Sequence, residues 1–163
     1  MILKLKYSID TSAILDGWVR YYPPDVFPNL WQNLDELINI GELRATEEVL
    51  SELGKIDDKV YNWAKDRSQL FVPIDIGIQQ VVSEISQNYK GLVDAGSHRS
   101  YADPFVIALA LINKSCVITG EHLTSNIEKP KIPDVCRGLG IRYVNLLGLI
   151  REQGWVFKKS MNR

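Results

Sequence analysis

Four acids far apart along the chain stand in contexts that suit metal-assisted chemistry: Asp10 in Ile9-Asp10-Thr11-Ser12, Glu52 in Leu50-Ser51-Glu52-Leu53, Asp103 in Ala102-Asp103-Pro104, and Glu121 in Thr119-Gly120-Glu121. Carboxylates gathered in one place repel one another, and their desolvation is costly unless a cation sits among them. A ligand set without His or Cys suits Mg²⁺ or Mn²⁺ better than zinc. These ions prefer oxygen, keep several waters and often bind through one or two carboxylates together with a substrate phosphate. Phosphodiester hydrolysis is the chemistry such a cluster serves best, through an acidified water and neutralised phosphate charge. Asp10, Asp103 and Glu121 are the expected metal ligands, with Glu52 as a further catalytic acid. Thr11, Ser12 and Thr119 are placed to hold a ligand or a water by hydrogen bonds. Glu48, one turn before Glu52 on the same helix face, and Asp94 are competing acids.

Each of these residues has a plainer use. Asp10 could cap a turn near Ser12, and Asp103 could be an acid favoured by a helix dipole. Glu48 and Glu52 could form a solvated helix face, and Glu121 could be a loop acid. Asp16 and Asp134 read as structural. Tyr21 and Tyr22 could stack on unpaired bases or simply pack half-buried. His98 with Arg99 could hold a phosphate or face solvent. Lys55, Lys59, Lys65, Arg67, Lys129 and Lys131 could steer phosphate or form an ordinary charged surface.

The elements that must bring these acids together can be read from apolar spacing. Leu5 to Ile9 reads as a short buried strand stopped by Asp10-Thr11-Ser12, so Asp10 falls at a strand's C-terminal edge. A loop with Tyr21 to Pro24 follows, then a helix with Leu30, Trp31, Leu34, Leu37 and Ile38 on one face, ending at Gly41. A strand at Glu42–Ala45 leads to a helix capped by Thr46 and carrying Glu48 and Glu52. Asp57 and Asp58 open another helix, Leu70–Pro73 reads as a third strand, and Ile78 to Ile85 keeps helical period. Gly91 to Ser100 lacks periodicity and reads in part as a mobile loop. Asp103-Pro104 starts a helix that must be buried nearly all round, since proline's missing N–H costs nothing in a first turn. Ser115–Thr119 reads as a fourth strand, Pro133–Leu139 as a helix, Gly140–Asn145 as a fifth strand and Leu146–Gln153 as a last helix. Strands alternating with helices predict a mainly parallel sheet covered on both faces.

At 163 residues, with 45% hydrophobic and 24% charged, the composition is that of one ordinary globular unit over 1–163. The opening residues lack the apolar stretch of a secretory signal, and no apolar run has the length to cross a bilayer, so a cytoplasmic place and no membrane partner are expected. Cys116 and Cys136 lack a metal-ligand spacing and read as buried thiols. A net charge of −1 offers no global attraction to nucleic acid, so any such binding must come from local cations or metal-bridged phosphates.

The four contexts, taken in order and with Ala102-Asp103-Pro104-Phe105-Val106-Ile107-Ala108, Val117-Ile118-Thr119 and Lys131-Ile132-Pro133-Asp134-Val135-Cys136, resemble the PIN-domain ribonucleases over nearly the whole chain. The similarity points to a PIN-like branch of prokaryotic proteins related to VapC toxins. It implies a three-layer α/β/α sandwich with a five-stranded sheet, Mg²⁺ or Mn²⁺ dependence and endonucleolytic cleavage of RNA. By position, Asp10, Glu52 and Asp103 match the family's first three acids. After the fourth strand the family usually places an aspartate, where this chain has Gly120-Glu121. An inhibiting antitoxin and a homodimer are implied by the same analogy. Two other functions compete. A phosphatase with Asp10 as nucleophile would resemble the haloacid-dehalogenase group, but that group wants an aspartate where Ser12 stands. A PIN-like binding domain without catalysis is the other.

Overall fold

The computed structural model describes residues 4–93 and 101–159. Asp94, His98 and Arg99, and most of the stretch read as a mobile loop, lie outside the described residues.

Five parallel strands form the sheet in the order β3-β2-β1-β4-β5: β1 (Tyr7–Ile9), β2 (Leu43–Thr46), β3 (Phe71–Val72), β4 (Cys116–Ile118) and β5 (Tyr143–Val144). The described helices are α1 (Thr11–Leu15), α2 (Pro28–Asn39), α3 (Glu47–Gly54), α4 (Asp58–Lys65), α5 (Ile76–Asn88), α6 (Asp103–Asn113), α7 (Ile132–Leu139) and α8 (Leu146–Gln153). They cover the sheet on both faces in a three-layer α/β/α sandwich. Parallel strands cannot be joined by tight hairpins, so each connection passes over a face and supplies the covering helix.

The central strand shows how the layers attach. Tyr7 Oη donates to the Glu152 carboxylate of α8 at 3.0 Å, and Ile9 packs with Ala13, Ile14, Trp31 and Leu34. Ser8, on the opposite face, donates from Oγ to the Val106 carbonyl of α6 at 2.8 Å. All three β1 residues are buried, as a strand covered on both sides must be.

α6 packs across β1, β2 and β4. Its sequence explains the fit: Val106, Ile107, Ala108, Leu109 and Ala110 are buried, and the alanines let its backbone come close to the sheet. Burying a residue such as Ile107 contributes about 1.5–3 kcal/mol. The helix stops where Lys114 turns left-handed at φ 51°. Among the described residues no helix is long and apolar enough to cross a membrane.

Two local expectations need correction. Tyr21, read with Tyr22 to Pro24 as part of a loop, instead ends a π-helical turn over Asp16–Tyr21 that continues α1, closed by Tyr22 N–H donating to the Gly17 carbonyl at 2.9 Å. Gly17 permits this because a Cβ there would press into Leu146 and the Trp31 ring. Thr46 holds the N-cap position of α3 but makes no capping bond; its Oγ1 is buried without a partner, while Asp57 and Asp75 cap α4 and α5 through their side chains.

Candidate metal centre

Strand order reverses about β1, whose neighbours are β2 and β4, and ligands in open parallel sheets collect beyond the carboxyl ends of strands at such a point. Asp10 leaves β1 there, and the Thr119-Gly120-Glu121 turn leaves β4. The ladder carries one residue further than the strand itself, with Asp10 N–H donating to the Ile118 carbonyl at 2.8 Å. That bond sets the two chain segments side by side.

The Asp10 carboxylate is not the turn cap that its position allows. It accepts no backbone cap bond; Oδ2 takes Ser12 Oγ at 2.5 Å and Thr119 Oγ1 at 3.0 Å. Those hydroxyls in turn accept the amides of the β4 turn, Gly120 N–H on Ser12 Oγ at 2.9 Å and Glu121 N–H on Thr119 Oγ1 at 3.1 Å. Ser12 and Thr119 thus fix both the carboxylate and the turn that carries Glu121. Thr11, expected to share this task, does not: its hydroxyl is buried without a partner.

Asp103 is the first residue of α6, and Glu121 is oriented by Ile132 N–H of α7, which donates to Oε2 at 2.9 Å. Asp10, Asp103 and Glu121 each offer a ligand atom within 4.8 Å of the others. Only 2% of Asp10 and 3% of Asp103 is exposed, so water screens these charges poorly. Burial first, then the Glu121 charge, push the Asp10 carboxyl up to about 7, against the opposing bonds from Ser12 and Thr119. Asp103 is raised well above the usual carboxylate range by burial and by Asp10, Glu121 and Glu52, with Lys131 opposing.

Glu52 accepts the Ala102 amide at 3.2 Å and so grips the residue before Asp103; its charge also bears on both buried aspartates. Glu48 is not among the acids brought together. Lys131 stands close enough to Asp103 to lower its proton affinity, whereas Arg67, grouped with it as a phosphate-steering cation, is engaged elsewhere. Its guanidinium pairs with both Asp35 oxygens at 2.5 and 2.9 Å and lies over the Trp63 ring.

Sequence reasoning missed the approach of Asp16 to Gly120. Any Cβ at position 120 would collide with the Asp16 carboxylate and crowd the Ser12 carbonyl. A glycine directly after a buried strand, where another backbone must come close, was the available signal.

Donor chemistry fits Mg²⁺ or Mn²⁺. Three oxygen donors from three separate segments converge, two of them buried where unneutralised charge is unfavourable, and among the described residues no thiol or imidazole joins the group. Fold and site together define an α/β/α protein with a cluster of three acids at the switch point of a parallel sheet. Over residues 7–157 the chain belongs to the family DUF4411, described as a domain of unknown function. No curated protein matches the chain.

Proposed function

We propose that this protein is a metal-dependent endoribonuclease that hydrolyses RNA phosphodiester bonds, of the PIN-like kind, and that it serves in the cytoplasm as the toxin of a toxin–antitoxin pair. The observation that carries the chemistry is the convergence of Asp10, Asp103 and Glu121 within 4.8 Å, two of them almost wholly buried. Support for the biological role comes from sequence resemblance alone.

In this account Asp10, Asp103 and Glu121 hold one Mg²⁺ or Mn²⁺. Such an ion supplies Lewis acidity to a phosphate oxygen and an acidified water. Ser12 and Thr119 keep Asp10 in one rotamer, so little reorganisation accompanies ion binding. Glu52 keeps Asp103 in register by holding Ala102, and Lys131 offsets part of the negative field that would otherwise repel a phosphate.

A phosphatase using Asp10 as nucleophile gains no support. The position where that group needs its second aspartate is held by Ser12, which instead donates its hydroxyl to Asp10 Oδ2.

RNA cleavage with Mn²⁺ or Mg²⁺ present tests the proposal. Asp10→Asn and Asp103→Asn should each lower the rate by roughly a hundredfold or more while circular dichroism stays native. Full cleavage by both variants would refute the assignment.

A further inference from the structure

The π-helical turn after α1 carries two exposed side chains, Arg20 and Tyr21, that the metal chemistry does not use, and Asp16 in the same turn lies against the Gly120 turn of the acid site. Asp16 lies over Gly120, whose own amide is bonded to Ser12, the residue that holds Asp10. The other Asp16 oxygen accepts Arg20 Nη1 at 3.1 Å. A short chain of contacts therefore runs from Asp10 through Ser12, Gly120 and Asp16 to a guanidinium whose side chain is 69% exposed. One of its five N–H donors is used by Asp16; a guanidinium so oriented suits a phosphate oxygen.

Tyr21 follows at once and is 61% exposed. Its ring meets Tyr22 edge-on at 6.3 Å, and Tyr22 meets Phe27 edge-on at 5.4 Å. Tyr22 is itself anchored, its carbonyl accepting Trp31 Nε1–H at 2.7 Å. Gly17 seats the same turn against Trp31 and Leu146. The exposed tyrosine is thus presented on a braced element, and π-turns of this kind recur at functional sites.

We propose that Arg20 and Tyr21 form a subsite for the nucleotide next to the one cut, Arg20 taking its phosphate and the Tyr21 ring taking its unpaired base. This rests on the nuclease reading of the acid site, and it deepens that reading: the substrate strand must be unpaired where it crosses the π-turn, because a base inside a duplex cannot offer its face to a side chain. Asp16 is then a positioning residue that aims Arg20.

The test is fluorescence anisotropy with a short labelled unpaired RNA, and the matching duplex, on the full chain in chelator so that nothing is cut. Arg20→Ala and Tyr21→Ala should each weaken binding of the unpaired strand about tenfold. Tyr21→Phe should bind like the wild type, and the Tyr21→Ala loss should vanish on duplex. Arg20→Ala should also reduce the slope of log affinity against log salt by about 0.7, the share of one phosphate on a single strand. Wild-type affinity in both alanine variants, no binding by the wild type, or an equal Tyr21→Ala loss on duplex would each overturn the subsite. Cleavage assays separate it from the reading beneath it. Binding through Arg20 and Tyr21 with no metal-supported cutting leaves the subsite and removes the nuclease. Cutting that needs Asp10 but neither Arg20 nor Tyr21 does the reverse.

Discussion

Asp10 and Asp134 are the same residue type, and the fold treats them in opposite ways. Slight burial raises the proton affinity of Asp134, but this is outweighed by bonds from the Thr124 hydroxyl and the Lys131, Ser125 and Thr124 amides, so its carboxyl falls to about 2. Asp10 also accepts two hydroxyls, yet burial and the Glu121 charge prevail and its carboxyl rises to about 7. The charge of Asp134 is fully engaged in closing the loop between Glu121 and α7. The charge of Asp10 is held where a cation would make it favourable, and carboxyls displaced by burial and a neighbouring acid cluster at functional sites.

That contrast sets the pH dependence of the metal-free protein. Asp10 keeps its proton in the folded state up to about 7 but loses it near 3.8 when unfolded, so its contribution to stability declines as pH rises from about 4 to about 7. For Asp134 the order is inverted: its contribution is complete above about 4 and is lost as pH falls toward 2. Thermal melts in chelator should show both limbs. At pH 8, Asp10→Asn should raise the midpoint by roughly 4–8 °C, on the order of 2 kcal/mol, and flatten the upper limb. Asp134→Asn should lower the neutral-pH midpoint by roughly 2–4 °C, about 1 kcal/mol, and flatten the lower limb. An unchanged upper limb in Asp10→Asn would dissolve the contrast.

A finer division separates two of the three acids of α3, Glu48 and Glu52. Glu52→Ala leaves the Ala102 amide without its acceptor, so it should cost about 1 kcal/mol and weaken Mn²⁺ binding roughly tenfold. Glu48→Ala should stay within about 0.5 kcal/mol of wild type and bind Mn²⁺ equally well. Equal effects on metal affinity would deny Glu52 its place beside Asp103.

What the sequence revealed follows the strength of local signals. Asp10 was readable because an apolar run stops abruptly at it, and Asp103 because Asp-Pro before a solid apolar stretch marks a helix start. The alternation of strands and helices was enough for the parallel three-layer fold, even though β3 and β5 are only two residues each. The helical path of Thr11–Tyr21 is not legible because Gly17 and the adjoining aromatics break ordinary helical spacing, and a π-turn has no periodic signature of its own. Thr11 is by position a plausible hydroxyl donor and Thr46 a plausible cap, but which hydroxyl meets which carboxylate is decided by long-range pairing, as between Asp10 and Thr119 across β1 and β4. The Asp16–Gly120 approach was hidden for the same reason.

Calorimetric titration of Mn²⁺ into the metal-free protein at pH 7 tests the central claim most directly. Saturable binding should release protons, because Asp10 and Asp103 must give theirs up to ligate, and both the binding and the release should be lost in Asp10→Asn and Asp103→Asn but kept in Asp134→Asn. Absence of saturable binding by the wild type, or binding untouched by both site substitutions, would contradict it.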